Sequence, residues 1–176
     1  MVELIYFYPG KDDCIVNAEV HGIHSYTGIY NAARWSYKSL EYSNWLSKLF
    51  HCRRKLKKRI IELFEENVTI IAYPSPEYKY IIAIYSGSHN FPIPNNAVVY
   101  NLDGSIHKIL TPPKVINDFF QGGDPQGKSF YNVNWDIKDG KIFLCLTINI
   151  FDMMEVRELN AETGEFSTDW SRVYRL

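Results

Sequence analysis

The sequence predicts an α+β protein that is mostly β: two tandem four-stranded antiparallel meanders, preceded by short N-terminal strands and a helical segment. Three observations lead there. From Val68 onward apolar residues recur with a period of two, in runs punctuated by Gly, Pro, Asn and Asp. The same succession of runs and turns then occurs again: Gly104 matches Gly164 and Tyr80 matches Lys141, offsets of 60 and 61 positions. Asn31–Asn67, by contrast, holds neither Gly nor Pro over 37 residues.

Residues 1–30 read as short strands. Glu3–Tyr8 is apolar and aromatic and stops at Pro9-Gly10, and Cys14–Val20 follows the turn Lys11-Asp12-Asp13. His21–Tyr30, with two Gly among alternating polar and aromatic residues, fits a loop or a poor strand. Residues 31–67 read as helix. Asn31 is placed as N-cap; Trp45, Leu46, Leu49 and Phe50 make one stripe at helical spacing, and Leu56, Ile60, Leu63 and Phe64 another. One helix of that length exceeds the usual range, so two are expected, broken near Phe50–Arg53 and ending at Asn67.

Residues 68–176 hold the meanders. Val68–Tyr73, Tyr78–Tyr85, Ala97–Asn101 and Ser105–Leu110 form the first, with turns at Pro74-Ser75-Pro76-Glu77 and Asp103-Gly104. Tyr131–Trp135, Lys141–Ile148, Met154–Leu159 and Glu165 onward form the second, with turns at Asp139-Gly140 and Ala161-Glu162-Thr163-Gly164. An insertion, Thr111–Lys128, separates them. With Asn101–Ser105 and Leu159–Glu165 as outer strand-turn-strand edges, the two units resemble two blades of a β-propeller, whose bare repeat is about 40–45 residues. Propellers usually close with about four to eight blades. A half-propeller-like pair leaves sheet edges that the N-terminal strands and helices are expected to cover.

With 176 residues, 46% of them hydrophobic and 22% charged, the chain reads as one globular domain spanning 1–176. The net charge of −1 draws it neither to nucleic acid nor to an anionic membrane. Cys14, Cys52 and Cys145 are odd in number and widely spaced, so three reduced thiols are expected, with Cys145 a buried hydrophobe. No signal peptide and no run of bilayer-spanning length is visible, so a soluble, cytoplasmic protein is expected.

No motif assembles a catalytic set. His21 and His24 stand three apart with Glu19 nearby, but nothing completes a zinc site. His51 and Cys52 are sequence neighbours, whereas catalytic thiol–imidazole pairs are brought together by the fold. Gly122–Gly127 lacks the Gly-Lys-Ser/Thr ending of a phosphate loop. No metal, cofactor or small-molecule substrate is expected, and no enzymatic activity. Acids of the second half, among them Asp136, Asp139, Glu155, Glu158 and Glu162, are read mainly as turn residues.

Two features point to a macromolecular partner. Arg53, Arg54, Lys55, Lys57, Lys58 and Arg59 put six cations in seven positions, either a solvated helix face or a polyanion-binding one. The insertion carries Asp118, Phe119, Phe120 and Asp124 beside a Gly-rich stretch. Two aromatics on a long loop suit interface anchors, or one Phe plugs the core beneath. Residues 67–176 hold 9 Lys/Arg against 12 Asp/Glu, a surplus of acid suited to a basic partner.

A small single-domain chain with tandem meanders, an aromatic-bearing loop and an acidic β half resembles the immunity proteins of bacterial contact-dependent growth-inhibition and related polymorphic toxin systems. The resemblance implies an inhibitor that binds a cognate toxin domain, often a nuclease, and occludes its active site. On that reading Phe119 and Phe120 anchor the partner, and Asp118, Asp124 and Asp152 meet its basic residues. The alternative is a nucleic-acid-binding module built on residues 53–59, with Tyr and Trp for stacking.

Overall fold

The alternation read from Val68 onward is realised strand by strand. The computed structural model of the chain describes residues 3–8, 11–16, 32–41, 55–65, 68–116 and 127–175, with side chains from Ile61 onward apart from Phe64 and Lys138. Its strands are β1 (Glu3–Tyr8), β2 (Lys11–Val16), β3 (Ala32–Glu41), β4 (Lys55–Phe64), β5 (Thr69–Pro74), β6 (Tyr80–Ser86), β7 (Ala97–Asn101), β8 (Ile106–Leu110), β9 (Ser129–Lys138), β10 (Lys141–Ile150), β11 (Met153–Asn160) and β12 (Glu165–Arg175). They form three four-stranded sheets, ordered β2-β1-β3-β4, β5-β6-β7-β8 and β9-β10-β11-β12. Every ladder is antiparallel.

The second and third sheets are the two expected meanders. Residues 31–67 depart from expectation: among the described residues there is no helix. Instead β3 and β4 pair from Ala32↔Phe64 to Glu41↔Lys55. The absence of Gly and Pro suits a long strand as well as a helix. Ala33, Trp35 and Tyr37 alternate with Arg34, Ser36 and Lys38, a period of two compatible with strand. On β4, Ile61 and Leu63 pack on the second sheet while Glu62 between them is exposed. The stripe Trp45, Leu46, Leu49 and Phe50, and residues 17–31, lie outside the described residues.

The second sheet sits between the other two. Tyr73, Ile82, Ile84, Ala97, Val99 and Leu110 face the third sheet and share a core with Phe130, Val133, Trp135, Leu144, Leu146 and Ile148. Its other face, with Ile70, Ala72, Ile81, Ala83, Tyr85 and Val98, packs against Ile61 and Leu63. The closest approach of the second and third sheets is at β5, β6 and β9.

Two glycine turns repeat one relation between neighbouring sheets. Gly104 (φ 88°) and Gly164 (φ 70°) close the turns before β8 and β12. Their N–H groups donate to Asn101 O (3.0 Å) and Asn160 O (2.8 Å). A Cβ on Gly104 would meet Ile61 Cγ2 of the first sheet at 2.8 Å, and one on Gly164 would run into Lys108 Cδ of the second. In each case the fourth strand of one sheet leans on the last turn of the next.

Side-chain to backbone hydrogen bonds join the second and third sheets. The buried Asn96 amide donates to Tyr85 O (2.8 Å) and Phe130 O (2.9 Å) and accepts from Phe130 N (2.9 Å). Trp135 Nε1 donates to Pro74 O (2.8 Å), and its ring takes Tyr73 and Tyr78 edge-on at 5.3 and 5.7 Å. Asn96→Ala would leave these buried backbone groups short of partners, at about 1–3 kcal/mol each. Urea unfolding should show a loss of about 3 kcal/mol or more; a loss below about 1 kcal/mol would mean that water replaces the amide.

Candidate functional site

The alternation of β11 places Glu155, Arg157 and Leu159 on one face, the face shared with Leu146 and Ile148 of β10. That face is the core, so two charges are carried inside. Arg157 is 1% exposed and Glu155 0%, with Nη1 to Oε2 at 3.5 Å. Both groups also address the backbone. Arg157 Nε donates to Ser167 O (2.9 Å), Nη2 reaches the same oxygen, and Nη1 donates to Lys114 O (3.1 Å). Glu155 Oε1 accepts from Ile116 N (3.3 Å). Lys128, also buried, donates from Nζ to Pro113 O (2.8 Å). The start of the connection after β8, residues 111–116, is thus strapped across the core face of the third sheet.

At the same end lies a departure from local rules. β10 and β11 pair up to Ile150↔Met153, which leaves Phe151 and Asp152 as the hairpin tip. Phe151 has φ 56°. Left-handed backbone costs a residue bearing a Cβ roughly 1–2 kcal/mol, and a bulky side chain there is an outlier. At the opposite end Asp139 (φ 52°) and Gly140 (φ 73°) fill the β9–β10 tip with residues that tolerate this region, while Tyr78 (φ 54°) in the 75–80 turn lays its ring against Trp135. Phe151 is also 72% exposed, the most exposed large hydrophobic among the described residues. Asp152 is 3.9 Å from Arg175 Nε, both well exposed, an ion pair too solvated to hold the carboxylate.

Of the residues expected to meet a partner, Asp152 is at this tip. Asp118, Phe119, Phe120 and Asp124 lie outside the described residues, although both described flanks of their segment, 111–116 and 127–128, are at this end. Phe151 was missed, because Phe-Asp carries none of the Gly or Asn that marks a turn. The Glu155–Arg157 pair was missed too, although opposite charges two apart in a strand signal one shared face. Glu155 and Glu158 stand on β11, the strand read at Met154–Leu159, and Asp136 stands on β9, one residue past the predicted strand.

The basic run does not form a helix face. Lys55, Lys57, Lys58 and Arg59 lie on β4, and a strand distributes successive positions between two faces. Arg53 and Arg54, like His21, His24, His51 and Cys52, lie outside the described residues. Among the described residues no three His, Cys, Asp or Glu are grouped to hold a metal, and no helix is long and apolar enough to cross a membrane.

Two hollows mark the third sheet. One, about 310 Å³, lies between the 75–80 turn and the β11–β12 turn, with Tyr80, Ile142, Leu144 and Leu159 in its lining and Glu77, Lys79 and Glu162 beside them. The other, about 280 Å³, lies on the face turned away from the second sheet, lined by Tyr131, Asn132, Asn134, Asp136, Thr147, Met154, Val156, Arg172 and Tyr174. Cys145 is buried on that outer face. Burial pushes its thiol up to about 12, Asp136 and Glu158 adding and Arg172 opposing. In the second sheet, Tyr85 and Tyr100 hydroxyls share a buried 2.6 Å hydrogen bond, and burial pushes both phenols upward.

The chain matches no protein-family model, no curated protein and no solved structure. The chemistry of these surfaces therefore carries the functional reading.

Two outcomes are expected. Arg157→Met strands the Glu155 charge and should cost about 3–5 kcal/mol, whereas Glu155→Leu with Arg157→Met should recover part of that loss in a double-mutant cycle. Additive losses would show that the pair is not coupled. The second concerns pH. A thiol held neutral in the fold contributes fully below its unfolded value of about 8.5 and loses that contribution as pH rises towards 12. The urea midpoint should therefore fall from about pH 9 upward, and less steeply in Cys145→Ala. An unchanged slope would place the alkaline loss elsewhere, with Tyr85 and Tyr100 first in line.

Proposed function

We propose that the protein is a protein-binding inhibitor, an immunity protein that neutralises a cognate toxin domain by occluding its active site. The observation that carries this reading is the Phe151–Asp152 tip: an aromatic ring held out in water on strained backbone beside a solvated carboxylate. An exposed large aromatic on a rigid hairpin is the raw material of an interface hot spot. Local strain retained at an exposed site points to function at that site. The acidic surplus of residues 67–176 gives the same surface a preference for a basic partner, of which nucleases are a common class.

The architecture supports the same reading. The recurrence of one glycine-turn contact from sheet to sheet fits a half-propeller-like stack, the form that the resemblance to immunity proteins implies. Neutralisation by occlusion needs no metal, cofactor or catalytic residue, and the proposed setting is the bacterial cytoplasm. Asp118, Phe119, Phe120 and Asp124, outside the described residues, stay part of the proposal on the sequence reading alone.

The test starts with tagged full-length protein and host lysate, at low and then moderate salt. A stoichiometric protein partner is expected to survive moderate salt, and its toxicity on expression in a bacterial host should be relieved by co-expressing this chain. Nucleic acid that elutes with salt, and no such protein, would favour the strand that carries Lys55–Arg59 instead. With the partner in hand, Phe151→Ala should raise Kd by about 30-fold, the equivalent of about 2 kcal/mol. Phe151→Gly should weaken binding equally while leaving the urea midpoint unchanged or higher, since glycine tolerates φ 56°. A fall in stability without a fall in affinity would make the ring a structural element.

A further inference from the structure

The outer face of the third sheet is built unlike a solvated sheet surface. Cys145, Thr147 and Val156 on that face are buried although, among the described residues, no fourth sheet covers them. The residues that shield them are large and stand up from the sheet. Trp170 meets Phe143 edge-on at 5.3 Å, and Arg172 lies over the Trp170 ring at 5.7 Å. Arg172 also reaches Asp136 (3.3 Å) and donates to the Tyr174 hydroxyl (3.0 Å). Beside Arg172 and Asp136 runs the hollow of about 280 Å³, with Thr147 and Val156 in its lining and Tyr131 (51% exposed) and Tyr174 (46%) at its rim. Small-molecule sites generally begin at about 300 Å³ and bury most of their ligand. This hollow is at the lower limit and suits a single aromatic side chain.

We propose that this face is a self-association surface, and that its occupant is a second copy of the chain packed sheet to sheet about a two-fold axis. Two arguments on the face itself favour a second copy over an unrelated partner. The first is charge. A two-fold axis brings each patch against itself, so a self-complementary patch must carry both signs. Asp136 and Arg172 supply one of each, on opposite edge strands, and Arg172 is half exposed. Two copies then form an alternating quartet in which Asp136 of each faces Arg172 of the other. The second is size. Four strands about 4.8 Å apart and about nine residues long present roughly 550–600 Å². A standard stable interface takes about 800 Å² from each partner. The face is smaller than that and suits a weak dimer of the micromolar kind, with Tyr131 of each copy seated in the hollow of the other. Sheet-on-sheet packing is already how the second and third sheets meet, and the Phe151 tip, at the end of the sheet, stays clear of this face.

The test is sedimentation equilibrium of the full chain, of mass 20.6 kDa, up to about 100 µM, a range that detects dissociation constants in the micromolar regime. The mass is expected to double with concentration. Asp136→Arg and Arg172→Asp should each be monomeric. Mixed in equal amounts, they should form a heterodimer, because every cation at position 136 or 172 of the first variant then faces an anion of the second across the axis. An ion pair within one chain cannot be restored by mixing, so recovery on mixing separates the interface from a merely structural role. Tyr131→Ala, a change at a half-exposed ring that leaves the core untouched, should weaken the dimer at least 10-fold and decides the matter if either charge variant fails to fold. A chain that stays monomeric at about 100 µM, a Tyr131→Ala dimer as tight as the parent, or folded charge variants that stay monomeric when mixed would each overturn the proposal.

Discussion

β6 holds five consecutive residues, Ile81 to Tyr85, out of water, and a strand can do so only when both faces of its sheet are covered. β7 does the same from Ala97 to Tyr100. The second sheet therefore cannot exist without neighbours. Ile82, Ile84 and Val99 need the third sheet; Ile81, Val98 and Ile70 need the first. A large aliphatic side chain left exposed forfeits roughly 1.5–3 kcal/mol. Uncovering either face would thus consume much of a net stability of about 5–15 kcal/mol. The polar groups used at the seam are the kind that this burial permits. Asn96 and Trp135 direct their donors to backbone carbonyls of the neighbouring sheet or loop, so the join is directional as well as apolar.

This constraint explains what could be read in the sequence and what could not. The eight strands from Thr69 to Arg175 were legible because each is short, apolar or alternating, and bounded by residues with turn chemistry. Asp103-Gly104, Asp139-Gly140 and Thr163-Gly164 all sit where positive φ is needed. Of the first sheet, β1 was legible at Glu3–Tyr8 and β2 in part, whereas β3 and β4 were not. Leu56, Ile60 and Phe64 satisfy a helical i, i+4 count and equally fall on alternate positions of a strand, and no Gly or Pro breaks the tie. What decides is tertiary: the second sheet has an apolar face that Ile61 and Leu63 cover from β4. The pairing β2-β1-β3-β4 brings β1 beside β3 across an intervening hairpin strand, an order that no local signal specifies.

The candidate site was half legible for a related reason. Asp152 was recognised as an acid in a turn, but the ring beside it was not, because sequence rules look for residues that suit a turn rather than one that defies it. Buried charges escape in the same way. Glu155 and Arg157 look like surface residues of an alternating strand, and only the second sheet, packed on Leu146 and Ile148 beside them, makes their side the inner one, where 111–116 meets both charges. An apolar pair there would cover Leu146 and Ile148 just as well. What charges add is direction: Lys114 O, Ile116 N and Ser167 O are each addressed by a named atom. Such a pair contributes little net stability, but it fixes where the connection crosses the sheet.

The two ends of the sheets thus follow different logic. At the end with Asp139-Gly140 and the two repeated glycine turns, the glycines let neighbouring sheets approach, and the one bulky residue at positive φ, Tyr78 (φ 54°), is half-buried with its ring packed edge-on to Trp135. At the other end the backbone is strained, an aromatic is exposed, and buried charges are retained to hold an irregular segment. Tyr78 has packing to hold its backbone there; Phe151 has none, and a departure from local rules that packing does not account for marks a place that folding alone does not require. The β10–β11 ladder runs unbroken to Ile150↔Met153, and Ile150 is fully buried. The ring of Phe151 therefore stands on a fixed base only one residue from the core. A side chain so placed loses little freedom on contact, and an interface gains affinity chiefly by lowering that loss. Rigid presentation, more than the amount of apolar surface, is what makes this end the better candidate for recognition.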